Sequence, residues 1–406
     1  MTTVYEATCT APVNIAVVKY WGKRDTQLIL PTNSSLSVTL DQDHLRSRTT
    51  ARAVDGQGND RLWLNGEEED IKQGGRTHTC LRELRQLRQQ LEAADSSLPK
   101  LSALPLHIAS ENNFPTAAGL ASSASGLSAL IATISTLYAL PSSASDLSRI
   151  ARQGSGSACR SMFGGYVAWN AGDKDDGSDS LAVQVAPESH WPDLHALILV
   201  VSDKKKGTPS TAGMQRTVAT SPLLQHRIQH VVPARMERIS AAIQQRNFDT
   251  FAEETMADSN QFHAVCLDTF PPIFYMNDVS RAVIQLVTAL NDASLAAGEG
   301  YKAAYTYDAG PNAVLYVREK DVPAVLALVL RYFPQTAESF PDPFATGVQP
   351  AKDDQLPAGF NQKVIPEHEV GAVARIIHTK VGDGPRVLGK EESLLGEDGL
   401  PKVLKQ

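Results

Sequence analysis

Residues 112 to 125 read Asn112-Asn-Phe-Pro-Thr-Ala-Ala-Gly-Leu-Ala-Ser-Ser-Ala-Ser125, and an apolar helical pattern follows at once. Small residues let a backbone approach a ligand closely. A helix that starts here directs its free N–H groups and positive dipole end into the loop. The stretch therefore suits a phosphate-binding loop. It lacks the Walker signature G-x-x-x-x-G-K-[ST], which occurs nowhere in the chain.

The same composition also occurs where two helices pack closely, or in flexible linkers. Leu127, Leu130, Ile131 and Ile134 recur at helical spacing directly after the loop, and Pro141 ends the pattern. A core helix thus begins at the loop, which makes a linker the weaker interpretation. Taken alone, the loop favours phosphate binding only slightly over helix packing.

The composition of the 406 residues is that of a globular protein long enough for two domains. Hydrophobic residues make up 42% of the chain, yet no uncharged apolar run is long enough to cross a bilayer. The chain start lacks a signal-peptide pattern and the four cysteines form no C-x-x-C pair, so we expect a cytoplasmic protein with reduced thiols. A net charge of −7 argues against nucleic-acid binding, so any anion site needs a local group of cations.

Strand and helix patterns predict an α+β protein with a domain change near residue 190. We expect an N-terminal domain over 1–190, a C-terminal domain over 191–395 and a tail over 396–406, with the last twenty residues loosely held. Helices in the second half are predicted at about 221–245, 247–260 and 277–297. Two strand–helix–strand passages there suit a ferredoxin-like layer.

Two further segments offer positive charge. In Lys19-Tyr-Trp-Gly-Lys-Arg-Asp25, an extended strand would place Lys19 and Lys23 on one side, a good arrangement for a diphosphate. The triple-lysine run at 204–206 is another candidate. Each is also compatible with an ordinary solvated surface, and alone that interpretation would be favoured.

The segment Gly154-Ser-Gly-Ser-Ala-Cys-Arg160 combines N–H and hydroxyl donors with a guanidinium that suits a carboxylate. A tight loop with a solvated arginine is equally compatible with it. The segment is not a G-x-S-x-G nucleophile elbow, so serine-hydrolase chemistry is not indicated. Cys159 has no histidine near it in sequence, and we expect it to be a small buried residue.

Asp308 ends an apolar strand within Tyr305-Thr-Tyr-Asp-Ala-Gly-Pro-Asn312. A carboxylate flanked by small residues would stand beside a pocket, where it suits contact with a substrate hydroxyl. The alternative is an aspartate that opens a turn before Gly-Pro. No spacing of His or Cys indicates a protein-ligated metal, whereas Mg²⁺ held by nucleotide phosphates and water would leave no such pattern.

Together these segments resemble one family, the diphosphomevalonate decarboxylases of the GHMP kinase superfamily, and most closely its eukaryotic members. The resemblance spans nearly the whole chain. The matching stretches are Ala11-Pro-Val-Asn-Ile-Ala16, Lys19-Tyr-Trp-Gly-Lys-Arg-Asp25, Leu30-Pro-Thr-Asn-Ser-Ser-Leu-Ser37, Asn112 to Ala124, Gly154 to Ser161, Ala186-Pro-Glu-Ser-His-Trp-Pro192, Asp258-Ser-Asn-Gln-Phe-His263 and Tyr307-Asp-Ala-Gly-Pro-Asn312.

The resemblance implies a GHMP kinase fold, with an N-terminal domain like domain 2 of ribosomal protein S5, a ferredoxin-like C-terminal domain and the active site between them. It implies ATP-dependent decarboxylation of (R)-5-diphosphomevalonate to isopentenyl diphosphate, with release of ADP, phosphate and CO₂. It further implies Mg²⁺, a homodimer and a cytoplasmic location.

The resemblance also implies roles for individual residues. Asp308 matches the catalytic aspartate that faces the 3-hydroxyl, Arg160 the arginine that holds the carboxylate, and Lys19 a polar residue near the reacting centre. The positions matching substrate-binding residues are Asn14, Tyr20, Trp21, Gly22, Lys23, Arg76, Ser155, Gly156, Ser157, Ala158, Cys159, Arg160 and Thr211. The ATP-binding positions are Pro115, Ala117, Gly119, Leu120, Ser122 and Ser123, with Ser122 a possible Mg²⁺ ligand.

Two other functions fit parts of the pattern. A GHMP-type kinase that phosphorylates a hydroxyl without decarboxylation would share the loop and Asp308. The matches at Lys19–Asp25 and Gly154–Arg160 favour the decarboxylase. A binding or regulatory protein that kept the fold but lost catalysis would normally be altered at Asp308, Arg160 or the serine loop, and all three are intact.

Overall fold

A computed structural model describes residues 4–56, 58–114, 122–201 and 207–402. The predicted ATP-binding positions Pro115, Ala117, Gly119 and Leu120 and the lysine run at 204–206 lie outside the described residues. The described chain is built from mainly antiparallel sheets covered by helices, in agreement with the predicted α+β class. Within it, no helix has the length and apolar character needed to cross a membrane.

The elements of the described ranges are as follows. The strands are β1 (Tyr5–Pro12), β2 (Asn14–Val18), β3 (Lys23–Asp25), β4 (Leu30–Pro31), β5 (Ser35–Thr39), β6 (Arg46–Ala53), β7 (Arg61–Leu64), β8 (Glu67–Glu69), β9 (Leu106–Asn112), β10 (Tyr166–Trp169), β11 (Ala182–Ala186), β12 (Leu194–Val200), β13 (Ala304–Tyr307), β14 (Ala313–Arg318), β15 (Arg375–Lys380) and β16 (Arg386–Leu388). The α-helices are α1 (Arg76–Ala94), α2 (Ser122–Leu137), α3 (Ala144–Gly154), α4 (Ser210–Thr220), α5 (Pro222–His226), α6 (Val232–Gln245), α7 (Phe248–Asp268), α8 (Asp278–Ala296) and α9 (Val322–Tyr332).

Three sheets hold most of these strands. Their orders are β16–β1–β6–β9–β7–β8, β11–β10–β5–β2 and β13–β14–β12–β15. In the third sheet β12 pairs antiparallel with both β14 and β15, and α8 and α9 belong to the connections between its strands. This order confirms the ferredoxin-like layer that the two strand–helix–strand passages predicted.

Helix α2 begins at Ser122, within the serine-rich stretch quoted above, and lies against β1 and β6 of the first sheet. Its sequence is rich in small and aliphatic residues, so most of the helix is buried. In its first turn the Ser125 hydroxyl donates to the Ala11 carbonyl at 2.7 Å and accepts from the Ser47 backbone N–H at 3.0 Å. These two bonds fix the N-terminal end of α2 relative to β1 and β6.

Strand β12 joins the cores of the two halves, and all seven of its residues are buried. Side chains alternate between the two faces of a strand. Ala196 and Ile198 therefore pack with Ile15 of β2 and with α6 and α7, whereas Leu197 and Leu199 pack with α8 and α9. One core runs across both halves, which fixes how they meet.

The region after residue 207 differs from its predicted pattern in two places. Helix α4 was not predicted, because its sequence Ser-Thr-Ala-Gly-Met-Gln-Arg-Thr-Val-Ala-Thr has little apolar periodicity. The single helix expected over 221–245 is divided into α5, a π-helical turn at Arg227–Val231, and α6. The turn places Arg227 in the protein interior.

The last described residues are not loosely held. Strand β16 pairs with β1, and Leu394 and Leu395 are buried against Ala109. Arg52 donates to the Gly396 carbonyl at 2.8 Å. The prediction of a loose C-terminal segment is therefore wrong as far as residue 402, because the segment covers an edge of the first sheet.

Candidate active site

A cavity of about 630 Å³ lies where the two halves meet. It is lined from the N-terminal half by residues that include Asn14, Ser122 and Arg160, and from the C-terminal half by Thr211, Phe262 and Asp308. Four segments singled out in the sequence thus converge on one space. They are brought there by the ends of β2 and β13, the start of α2 and the turn after α3.

The centre of the cavity holds an ion pair between the two halves. The Lys19 ammonium donates to Asp308 Oδ1 at 2.6 Å and to the Ala16 carbonyl at 2.7 Å. Lys19 is 2% exposed, whereas a third of the Asp308 side chain remains accessible from the cavity. The carboxylate is therefore held from behind by a buried cation while its open side faces the space where a ligand would lie.

The pairing corrects one prediction. We expected Lys19 and Lys23 to share one side of an extended strand and to hold a diphosphate together. Strand β2 instead ends at Val18, and Lys23 begins the separate strand β3. The Lys19 ammonium donates to Asp308 and Ala16, whereas Lys23 lines the cavity from β3.

Arg160 lies in a short 3₁₀-helix over Gly156–Met162 and is almost completely buried. Its Nη1 donates to Ser35 Oγ at 2.6 Å and its Nε to Ser37 Oγ at 3.0 Å. Burial lowers the pKa of the guanidinium from its usual value, although the group remains a cation at physiological pH. Neutral serine oxygens hold the fork in place without neutralising it, so its charge stays available to an anion in the cavity.

Asn14 joins this arrangement to strand β2. Its amide group donates to Ser161 Oγ at 2.7 Å and to the Ser157 carbonyl at 3.1 Å. Its Oδ1 accepts from Arg160 Nε at 3.3 Å. Asn14 therefore orients both the 3₁₀-helix and the guanidinium.

A second cationic group lines the cavity at Lys23 and Arg76. Arg76 Nη2 donates to Thr211 Oγ1 at 3.0 Å, a contact that joins α1 to α4. Burial, and then the charge of Arg76, lower the pKa of Lys23 to about 8. Two cations that line one partly buried cavity suit an anion, because a bound anion would relieve their repulsion.

The Tyr20 hydroxyl is an unsatisfied polar atom beside the cavity. It is buried, and it has no hydrogen-bond partner in the part of the chain that the structure describes. Burial raises its pKa, so the group stays protonated and can donate. A ligand oxygen in the cavity would satisfy it.

Three of the predicted substrate-binding positions are small residues, of which Gly156 lines the cavity, whereas Gly22 and Ala158 are not among the described residues that line it. A Cβ atom at Gly156 would lie 2.8 Å from Tyr20 Cε1, so glycine permits the tyrosine to pack here. Ala158 lies in the core beside α2, a place at odds with direct contact. Gly22 adopts a φ of +95° and packs against Thr32.

Cys159 is buried, as expected, and its thiol contacts the Gly156 carbonyl at 3.0 Å. Burial raises its pKa to about 12, so the sulfur is a thiol and not a nucleophile at neutral pH. The prediction of substrate contact through Cys159 is not supported by this position. Trp21 does line the cavity, and its indole N–H is anchored on Thr217 Oγ1 at 3.0 Å.

The serine end of the cavity is the start of α2. Ser122 and Ser123 line the cavity together with Ser155 and Ser157, and the hydroxyls of Ser123 and Ser155 lie 3.5 Å apart. A 16-residue helix directs its N-terminal N–H groups here. Hydroxyl and N–H donors at a helix start suit phosphate oxygens.

Several residues at the site were not singled out individually from the sequence. Phe262 of α7 and Met214 of α4 line the cavity. Asp258 and Arg227 lie behind Lys19 and bond to its backbone. Asp258 and Phe262 lie in a stretch that carried the family resemblance, but no spacing signal distinguishes them from ordinary helix residues.

Comparisons with known proteins agree with this geometry. A family model described as "Diphosphomevalonate decarboxylase-like N-terminal domain" matches residues 11–182, and one described as "Mevalonate 5-diphosphate decarboxylase C-terminal domain" matches residues 196–388. The diphosphomevalonate decarboxylase of Ganoderma lucidum is 66% identical over 403 residues, which cover 98% of this chain and 100% of that protein. The chain belongs to the diphosphomevalonate decarboxylase family.

Solved structures extend the similarity to three dimensions. A crystal structure of mevalonate 5-diphosphate decarboxylase is 52% identical with a TM-score of 0.83, covering 97% of this chain and 99% of that one. MDDEF in complex with MVAPP, AMPPCP and magnesium is 30% identical with a TM-score of 0.72, covering 96% and 100%. This chain therefore has the GHMP kinase fold and is an enzyme of the mevalonate pathway that decarboxylates diphosphomevalonate.

Proposed function

We propose that this cavity carries out the ATP-dependent decarboxylation of (R)-5-diphosphomevalonate, with Asp308 facing the 3-hydroxyl, Arg160 holding the carboxylate, and Lys23 and Arg76 holding the diphosphate. The observation that carries the proposal is the Lys19–Asp308 pair in a cavity where the other charged residues, among those described, are cations. The substrate bears two anionic groups and one hydroxyl. The described lining of the cavity offers two cationic sites, Arg160 and the Lys23–Arg76 group, and one accessible carboxylate, Asp308.

The chemistry needs a leaving group at C3, because a tertiary hydroxyl does not depart by itself. Bound ATP, with Mg²⁺ on its phosphates, supplies the phosphoryl group that makes the 3-oxygen a good leaving group. When that oxygen leaves as phosphate, positive charge develops at C3. The electron pair of the C1–C2 bond then forms the double bond of isopentenyl diphosphate, and the carboxyl carbon leaves as CO₂.

Asp308 acts on the hydroxyl proton. Its carboxylate is open to the cavity on one side and bonded to Lys19 on the other, which fits a group that accepts or orients a hydroxyl O–H. The Lys19 charge keeps the carboxylate in one orientation. Lys19 thereby determines where the hydroxyl must lie to meet the incoming phosphorus atom.

Arg160 holds the carboxylate until it is lost. A guanidinium held by Ser35 and Ser37 presents a fixed planar fork, which suits a carboxylate better than a flexible ammonium does. By fixing the carboxylate, Arg160 orients the C1–C2 bond whose electrons must move. It also separates the carboxylate from Asp308, whose like charge would otherwise repel it.

The phosphates of ATP fit at the start of α2. Ser122 and Ser123 supply hydroxyls there, and the helix supplies N–H groups and a positive dipole end. Ser122, which lines the cavity at the start of α2, would offer its hydroxyl oxygen to the Mg²⁺ that accompanies ATP. The family resemblance adds a homodimer and a cytoplasmic location to the proposal.

The experiment is a product assay with ATP, Mg²⁺ and diphosphomevalonate labelled at C1. We expect labelled CO₂, ADP and phosphate in equal amounts, and none of them without the enzyme. ADP formation without CO₂ would instead indicate a kinase. Omission of Mg²⁺ should abolish all three products while the protein remains folded.

A further inference from the structure

Lys19 is held through its backbone as well as its side chain. Its N–H donates to Asp258 Oδ2 at 2.7 Å, and its carbonyl accepts from Arg227 Nη2 at 3.1 Å and from Asn33 Nδ2 at 3.0 Å. Asp258 and Arg227 lie more than two hundred positions away, in α7 and in the π-helical turn. Side chains of the C-terminal half thus hydrogen-bond to both the backbone N–H and the backbone C=O of Lys19, a residue of the N-terminal half.

Asp258 and Arg227 form a fully buried pair. Arg227 Nη1 lies 2.8 Å from Asp258 Oδ1 and Nη2 lies 3.1 Å from Oδ2, and both side chains are 0% exposed. Arg235 Nη1 donates to the same Asp258 Oδ1 at 3.1 Å, and Arg235 Nε donates to Glu254 Oε2 at 2.9 Å. Arg227 also donates to Gln261 Oε1 at 2.7 Å.

Stability alone is a weak reason for such a network. Removing charged groups from water costs several kcal/mol per ion, and well-packed apolar residues often replace buried pairs without loss. What apolar residues cannot supply is an acceptor for the Lys19 N–H and the second donor, besides Asn33, for its carbonyl. The network therefore fixes the orientation of the Lys19 backbone, at the point where β2 ends and the chain turns towards Asp308.

We propose that Asp258 and Arg227 are positioning residues for the Lys19–Asp308 pair: they fix the Lys19 backbone so that its ammonium meets the catalytic carboxylate. Neither belongs to the described residues that line the cavity, so neither touches substrate. Arg235 supports Asp258 but does not contact Lys19. The inference rests on the proposed role of Lys19 and Asp308.

The first test compares Arg227→Gln with Arg235→Gln. Both substitutions remove one guanidinium from the same carboxylate, but only the first removes a donor from the Lys19 carbonyl. We expect Arg227→Gln to lower kcat by about 10- to 100-fold, because displacement of about 1 Å at a catalytic group has that effect. The KM values for both substrates and the kcat of Arg235→Gln should stay within about twofold of the unchanged enzyme. Equal losses of kcat in the two variants would overturn the proposal.

A second comparison holds the charge constant. Asp258→Asn and Asp258→Leu both remove the negative charge next to two arginines, but only asparagine keeps an acceptor oxygen for the Lys19 N–H. We expect Asp258→Asn to retain at least about tenfold more kcat than Asp258→Leu at similar melting temperatures. Indistinguishable kcat values would show that the contact is structural only. The comparison of the two Asp258 variants tests the positioning role even if Arg227→Gln does not fold.

The Lys19→Met variant separates the two proposals. If Lys19→Met keeps its kcat, the assigned role of Lys19 is wrong. If it loses kcat while Arg227→Gln does not, the positioning role alone is wrong. In the expected case, adding Arg227→Gln to Lys19→Met changes kcat by no more than about twofold, because residues that act through one another are not additive. Capture of labelled CO₂ over hours keeps such low rates measurable.

Discussion

Lys19 and Lys23 lie four residues apart and line the same cavity, yet their surroundings are opposite. Lys19 is buried, bonded to Asp308 and fixed through its backbone. Lys23 is half-buried, and the charge that most affects its pKa is another cation, Arg76. A lysine whose charge is already matched serves orientation within the protein, whereas one placed beside a like charge serves an anion from outside.

The largest effect on kcat should come from the Lys19–Asp308 pair, which the protein holds in one orientation. We expect Asp308→Asn to lower kcat by about 10²- to 10⁴-fold, the usual contribution of a positioned acid or base. Binding of both substrates should persist, since the cationic groups are unchanged. Steady-state kinetics and equilibrium binding of diphosphomevalonate measure the two quantities. Loss of binding with unchanged turnover of the bound complex would contradict the assignment.

Arg160 combines the properties of the two lysines. Like Lys19 it is held in place by the protein, and like Lys23 it is available to a bound anion. We expect Arg160→Gln to reduce kcat and raise KM for diphosphomevalonate together, with a combined loss of about 2–5 kcal/mol in transition-state stabilisation. Asn14 and the two serines would hold glutamine in place without a charge for the carboxylate. Near-normal kinetics in a folded variant would refute the role.

The two lysines themselves give the matched comparison. We expect Lys23→Gln to raise KM for diphosphomevalonate by about 10- to 100-fold, the value of a charge-assisted contact, with a smaller change in kcat. Lys19→Gln should show the reverse, a large loss of kcat with a modest change in KM. The KM for ATP serves as the internal control. If both variants change the same parameter, the distinction between the two lysines is wrong.

The smallest effect is a dependence on pH. The pKa of Lys23 is lowered to about 8, so its charge is fully present well below pH 8 and is lost as the pH rises above it. Since the diphosphate binds the charged form, KM should rise about twofold between pH 6.5 and pH 8, and further above that. The rise should be absent in Lys23→Gln. An identical rise in that variant would assign the pH dependence to another group.

Much of the site could be predicted because its motifs are local. Asp308 at a strand end, Arg160 in a glycine–serine turn and the serines at the start of α2 all express their chemistry within a few residues. The Lys19–Asp308 pair could not be predicted in the same way. It depends on where β2 ends and on two segments 289 residues apart in sequence.

The fold shows the same limit. The long periodic segment expected over about 277–297 was predicted to within a few residues, since α8 spans Asp278–Ala296. Helix α4 was missed because its buried positions are Gly213, Met214 and Thr217, which give no apolar stripe. The three-residue strand β16 is too short for a pattern, and only its pairing with β1 defines it.

That pairing has a consequence for how the chain is made. Strand β1 lies between β6 and β16, and β16 follows all the other strands of this sheet in the chain. During synthesis one side of β1 therefore exposes unpaired N–H and C=O groups until residue 388 has emerged. A chain that stops before Arg386 would therefore carry an open, aggregation-prone edge on β1.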